Sequence, residues 1–160
     1  MGIEQEKAVR TFFEAMVTAE NACWNSTQVD RLLGYMSPDA SYHVWAWHEP
    51  FVGRDAIREE LLRQAPLFSD ATFEFLNFAS VGSTVFVERR DWVTMNGKRA
   101  DFHVVGVFEV DNSGKIASWR DYFDTAEITA SVGPVEGDQW PGRPAPPSVI
   151  SMACFDREIR

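Results

Sequence analysis

The chain has 160 residues, 45% hydrophobic and 13% aromatic, with 24 acidic side chains against 15 basic ones and a net charge of -9. That length suits one domain, able to bury roughly 70% of its unfolded surface without disulfide or metal staples. The acidic balance argues against a nucleic-acid partner, because phosphate binding needs a basic face.

The opening MGIEQEKAVRTFFEAM lacks the apolar run of a signal peptide, and no later segment is apolar enough to span a bilayer. A cytoplasmic protein without a membrane partner is therefore expected. Cys23 and Cys154 match no metal or redox spacing; a reduced pair is the plainer reading and a bridge the alternative.

Residues 4 to about 22 read as an amphipathic helix, with Val9, Phe12, Phe13, Met16 and Val17 on its apolar stripe. A second short helix starts near Asn25 or Ser26, both good N-caps, carries Val29, Leu32 and Leu33, and stops at Gly34. Ser37-Pro38-Asp39 suggests a turn, and Ala40 to Trp47 a strand that Glu49-Pro50 interrupts. Gly53 and Asp55 lead into a third helix whose stripe is Ile57, Leu61, Leu62 and Ala65, ending at Pro66.

From there the period changes to two. Strands are expected over Thr72–Ser80, Thr84–Met95, Arg99–Val110 and Lys115–Asp124. Asn96-Gly97 is a two-residue hairpin signal, and Asp111 to Gly114 supplies the next turn. Thr125 would cap a short helix through Ala130. Residues 1–132 thus form a single α+β domain, a curved, mostly antiparallel sheet covered by helices and enclosing a conical cavity. Residues 133–160, rich in proline and glycine at their start, form a C-terminal arm that includes Trp140 and an extended piece over Ser148–Phe155.

Alternation places Trp119, Asp121 and Phe123 on one face of the last strand. A carboxylate between two large rings needs a partner if it is buried, since an unpaired ion in an apolar site costs several kcal/mol. In VFVERRDWV, Arg89 and Asp91 share a face with Val85, Val87 and Val93. Such a charged run also reads as a solvated strip, but the valines at the alternate positions favour a cavity wall bearing an ion pair. Asp91, Arg89 and Asp121 converging on an aromatic pocket would make a proton-transfer site. Tyr42 and Val44 share a face of the first strand. His43, His48 and His103 are not spaced as a metal set, so no metal is expected.

ERRDW, then VVGVFEV, GKI and WRDYFD, with SYHV and VGRDAI earlier, resemble the limonene-1,2-epoxide hydrolase family from the first helix to about Ile128. That family has the cystatin-like or nuclear-transport-factor-like cone fold shared with scytalone dehydratase, ketosteroid isomerase and SnoaL-like polyketide cyclases. The resemblance implies that Asp121 activates water, Asp91 protonates the epoxide oxygen, Arg89 bridges the carboxyls and Tyr42 helps hold the water. Trp119, Phe123, Val44, Val87 and Val93 would then line the site of a small apolar epoxide. The family has Asn where this chain has Val44, so one holder of the water is missing. No cofactor is implied, and a homodimer is.

Epoxide opening needs a nucleophile at carbon and a proton at the departing oxygen together, hence one ionised and one protonated carboxyl. Three readings follow. The first is an epoxide hydrolase, the second an epoxide-opening cyclase or isomerase with the same acid and base, and the third a non-catalytic cone domain binding an apolar ligand or a partner.

Overall fold

The computed structural model describes residues 2–17, 25–45, 49–65, 69–95 and 97–133. The expected C-terminal arm beyond Gly133, Trp140, His48 and both cysteines lie outside these residues. The described chain contains helices α1 (Gly2–Val17), α2 (Ser26–Leu33), α3 (Arg54–Gln64) and α4 (Thr125–Val132). Its strands are β1 (Met36–His43), β2 (Phe51–Val52), β3 (Ser69–Val81), β4 (Thr84–Met95), β5 (Lys98–Val110) and β6 (Ile116–Phe123). They form one sheet in the order β2-β1-β6-β5-β4-β3. This is the α+β cone expected from the sequence: a curved open sheet whose concave face is closed by helices.

The meander arises from local turn chemistry. Met95 pairs directly with Lys98, and Gly97 takes the positive φ of 75° that a two-residue hairpin requires. At the next turn Asp111 does the work, its Oδ1 accepting from the amide nitrogens of Ser113 at 2.8 Å and Lys115 at 3.0 Å. The same carboxylate accepts from Ser37 Oγ at 2.5 Å, tying the turn to the start of β1.

Strand β1 departs from expectation. It begins at Met36, so Ser37-Pro38-Asp39 lies within the strand instead of forming a turn. β1 runs parallel to β6, and its register shifts between Met36 and Ser41. Proline has no amide to donate, and a break in the ladder is where a strand tolerates one. Helix α4 is capped by Asp124, whose side chain accepts from Ala126 N, so the cap is one residue earlier than the expected Thr125. Val17 is 45% exposed and falls off the α1 stripe.

The main core joins α1, α2 and α3 to the concave face. Phe12 of α1 meets Trp119 edge-on and Phe13 meets Phe108 edge-on, with ring centroids 5.3 and 5.5 Å apart, while Phe108 and Trp119 stack on each other. A second cluster, Val93, Met95, Phe102 and Val104 with Ile128 and Val132, closes the other end of the sheet under α4. Among the described residues no helix is long and apolar enough to cross a membrane.

Phe12 has no exposed surface, so Phe12→Ala should destabilise by about 3–5 kcal/mol. Urea unfolding should show a lower midpoint at unchanged slope; a loss below about 1 kcal/mol would contradict this packing.

Candidate active site

The β4 alternation buries Val85, Val87, Arg89, Asp91, Val93 and Met95 on the concave face. Asp121 points to the same face from β6, two strands away, because Gly106 of β5 pairs with both Val87 and Asp121. Arg89 joins the two carboxylates. Its Nε donates to Asp91 Oδ1 and Oδ2 at 2.9 and 3.1 Å, while Nη1 and Nη2 donate to Asp121 Oδ1 and Oδ2 at 3.1 and 2.8 Å. The guanidinium carbon lies 5.0 Å from the Phe13 ring centroid and 5.9 Å from that of Phe73. Arg89, Asp91 and Asp121 are 2%, 4% and 8% exposed, so water contributes little to screening the three charges.

This burial decides where a proton rests. Burial is the largest influence on Asp91; Arg89 opposes it and Asp121 reinforces it, and the carboxyl is pushed up to about 7. Burial also works against the Arg89 charge, but Asp121 and Asp91 together outweigh it and hold the guanidinium charged. With one proton on the cluster, Arg89 and its two carboxyl partners sum to no net charge, which suits a dry site.

Tyr42 enters from β1, which pairs it with Trp119 of β6, and the two rings stack at 4.3 Å. Burial, and then the Asp121 charge, hold its phenol above its usual range, so it stays protonated. Helix α3 supplies a second polar arm. Glu60 and Gln64 are 4% and 6% exposed. Gln64 Nε2 donates to Glu60 Oε1 at 2.7 Å, Arg63 pairs with the same carboxylate, and Gln64 hydrogen-bonds Tyr42. The helix is fixed over β1 by Gly53 N donating to Ala40 O at 2.8 Å and Arg54 Nε donating to Met36 O at 3.1 Å.

The other residues expected at the site divide. Trp119 packs against Tyr42, Phe12 and Phe108 and is 4% exposed, while Val87 has no exposed surface and lies in the main core. Val44 is half-buried, just past the end of β1, and packs on that same core. Phe123 and Val93 stand at the α4 end with Phe102. His103 is on the outer face, 3.3 Å from Glu127. Among the described residues no three His, Cys, Asp or Glu side chains are grouped to hold a metal ion.

Residues 9–119 match the SnoaL-like domain family. The chain belongs to that family. Over 47 residues this SnoaL-like chain is 47% identical to the epoxide hydrolase EphG of Mycobacterium tuberculosis, a stretch that covers 29% of the chain and 31% of that curated relative. A solved M. tuberculosis LEH-like epoxide hydrolase is similar with a TM-score of 0.64 at 26% identity, over 81% of this chain and 89% of that one. These matches agree with the resemblance to limonene-1,2-epoxide hydrolases. The epoxide hydrolase/cyclase-like enzyme SalBIII, of pyran ring formation in salinomycin, is 20% identical with a TM-score of 0.65 over 77% and 92% of the two chains. An NTF2-like protein of unknown function from Burkholderia pseudomallei is 21% identical with a TM-score of 0.63 over 81% and 97%. The last two share the fold.

The α3 arm of this SnoaL-like domain differs from the sequence expectation. Its buried face is Ile57, Glu60, Leu61 and Gln64, instead of the expected Ile57, Leu61, Leu62 and Ala65. The signal was present: Glu60 and Gln64 stand three and seven residues after Ile57, on the core stripe of the helix.

Folded Asp91 holds its proton more tightly than an unfolded Asp, whose pKa is about 3.9. Its contribution to stability is therefore complete below about pH 4 and is lost as the pH rises to about 7. Asp91→Asn, neutral throughout, should melt above wild type at pH 8, with a gain of at most a few kcal/mol that shrinks toward pH 5. A gain that grows toward pH 5 would contradict a raised Asp91.

Proposed function

We propose that this SnoaL-like protein is an epoxide hydrolase of the limonene-epoxide hydrolase type, converting a small lipophilic epoxide to a diol in one step. The observation that carries the reading is the buried bridge from Asp91 through Arg89 to Asp121. Asp121 takes a proton from water as the water oxygen bonds to one epoxide carbon. The C–O bond at that carbon breaks, its electron pair passes to the ring oxygen, and the proton of Asp91 goes to that oxygen. After turnover the proton sits on Asp121 and Asp91 is ionised. Arg89, bonded to both, stabilises either arrangement while the proton returns.

Tyr42 supports the nucleophile. Its protonated hydroxyl stands near Asp121, held from behind by Gln64 and Glu60. The aromatic walls around the bridge suit an apolar substrate and keep bulk water from the cluster.

Val44 favours a second reading. With an apolar side chain where the resemblance leads one to expect Asn, the water loses one hydrogen bond, worth about 1 kcal/mol. A substrate carrying its own hydroxyl could then supply the nucleophile to the same acid and base, giving a cyclic ether.

Incubation with a terpene or styrene-type epoxide in oxygen-18 water should place one labelled oxygen in the diol. Asp121→Asn and Asp91→Asn should each lower turnover at least about 100-fold while remaining folded. An unlabelled cyclic ether from a hydroxy-epoxide would select the second reading. No epoxide consumed, with both variants unfolded, would leave a ligand-binding domain. Val44→Asn should raise hydrolysis about 5-fold, the equivalent of one recovered hydrogen bond; an unchanged rate would contradict the water-holding role of that position.

A further inference from the structure

Resting on that reading and deepening it, we propose that Gly106 is a positioning residue: its missing side chain is the seat on which the Arg89 guanidinium lies between the two carboxylates. Gly106 is in the interior of β5, with Val104 and Phe108 on the same face carrying full side chains. Glycine weakens a strand interior, so one in the middle of a long sheet calls for a reason. Backbone conformation is not that reason, because the positive-φ glycines are Gly53, Gly82, Gly97, Gly114 and Gly133. Space is. A Cβ at Gly106 would stand 2.6 Å from Arg89 Nη1, 2.7 Å from Phe108 Cε2 and 3.1 Å from Asp121 Oδ1.

The sheet register explains why the gap falls at this residue. Arg89 pairs across to Val104, whereas Asp121 pairs with Gly106. The Arg89 side chain therefore runs diagonally over β5, two residues along, and crosses the bare backbone of Gly106 to reach β6. Two of the three close contacts of an added methyl are atoms of the bridge itself. The third, Phe108, has no exposed surface and is held by Phe12, Phe13 and Trp119, so it has little room to retreat. The guanidinium is the part that yields. Nη1 and Nη2 would lift from Asp121 while Nε keeps Asp91, leaving the base unoriented relative to the acid. A misplacement of about 1 Å at a reacting group reaches about 100-fold in rate.

The test is Gly106→Ala, read in two ways. Nitrogen-15 NMR of the Arg89 guanidinium, which needs no substrate, should show separate, slowly rotating Nη protons in wild type, because both Nη groups are held. In Gly106→Ala those signals should merge. With a lipophilic epoxide, kcat should fall about 10- to 100-fold while KM changes less than about 3-fold. To separate the bridge from the ring, the same readings are taken on Gly106→Ala/Phe108→Leu against Phe108→Leu alone, a pair that also relieves the ring contact should Gly106→Ala not fold. The pair should still lose the Arg89 signals and the rate. Unchanged Nη signals in Gly106→Ala, or a pair that matches Phe108→Leu, would overturn the proposal. Merged signals without any epoxide turnover by wild type would uphold the seat and refute the hydrolase reading instead.

Discussion

One guanidinium shared by two buried carboxylates is the constraint on which the rest of this molecule depends. Arg89 satisfies Asp91 through Nε and Asp121 through both Nη groups, and all three side chains are almost withdrawn from water. A dry site does not hold one positive and two negative charges without strain on one of them. The burden falls on Asp91, whose carboxyl burial pushes up to about 7. One proton divided across a fixed cation is what charge balance favours here, since like-charged neighbours that share a site divide one proton between them.

The fold serves that arrangement by setting three strands in register. β4 brings Arg89 and Asp91, β6 brings Asp121, and β5 lies between them with only a backbone at the crossing point. Helix α1 roofs the cluster with Phe13, while β1 and α3 bring Tyr42, Gln64 and Glu60 to the Asp121 side. The apolar core and the polar cluster thus share one surface. The same packing that stabilises the sheet removes the water that would otherwise screen the charges.

What was legible in the sequence was what repeats. Alternation in β4 and β6 puts Arg89, Asp91 and Asp121 on faces that the structure shows to be buried, and the hairpin signal in the sequence agrees with the direct pairing of Met95 with Lys98. The parallel pairing of β1 with β6 was not legible, because it joins residues far apart in the chain with no turn between them to mark it. Pro38 hid the start of β1 for a related reason: a proline reads as a turn unless a break in a ladder receives it. Glu60 and Gln64 are not legible as buried, because polar residues on a helix are ordinarily on its solvent face, and only the neighbouring phenol gives them a buried role. Gly106 was visible as a letter and silent as a cause, since the atoms it makes room for come from two other strands.

The most direct measurement of the central claim is the titration of the Asp91 side-chain carboxyl by carbon-13 NMR in the full chain. A shared proton held against a buried cation places its midpoint at about 7, well above an ordinary aspartate. A midpoint near 4 would mean that both carboxylates are ionised at neutral pH, and the pairing of one acid with one base at this bridge would be contradicted.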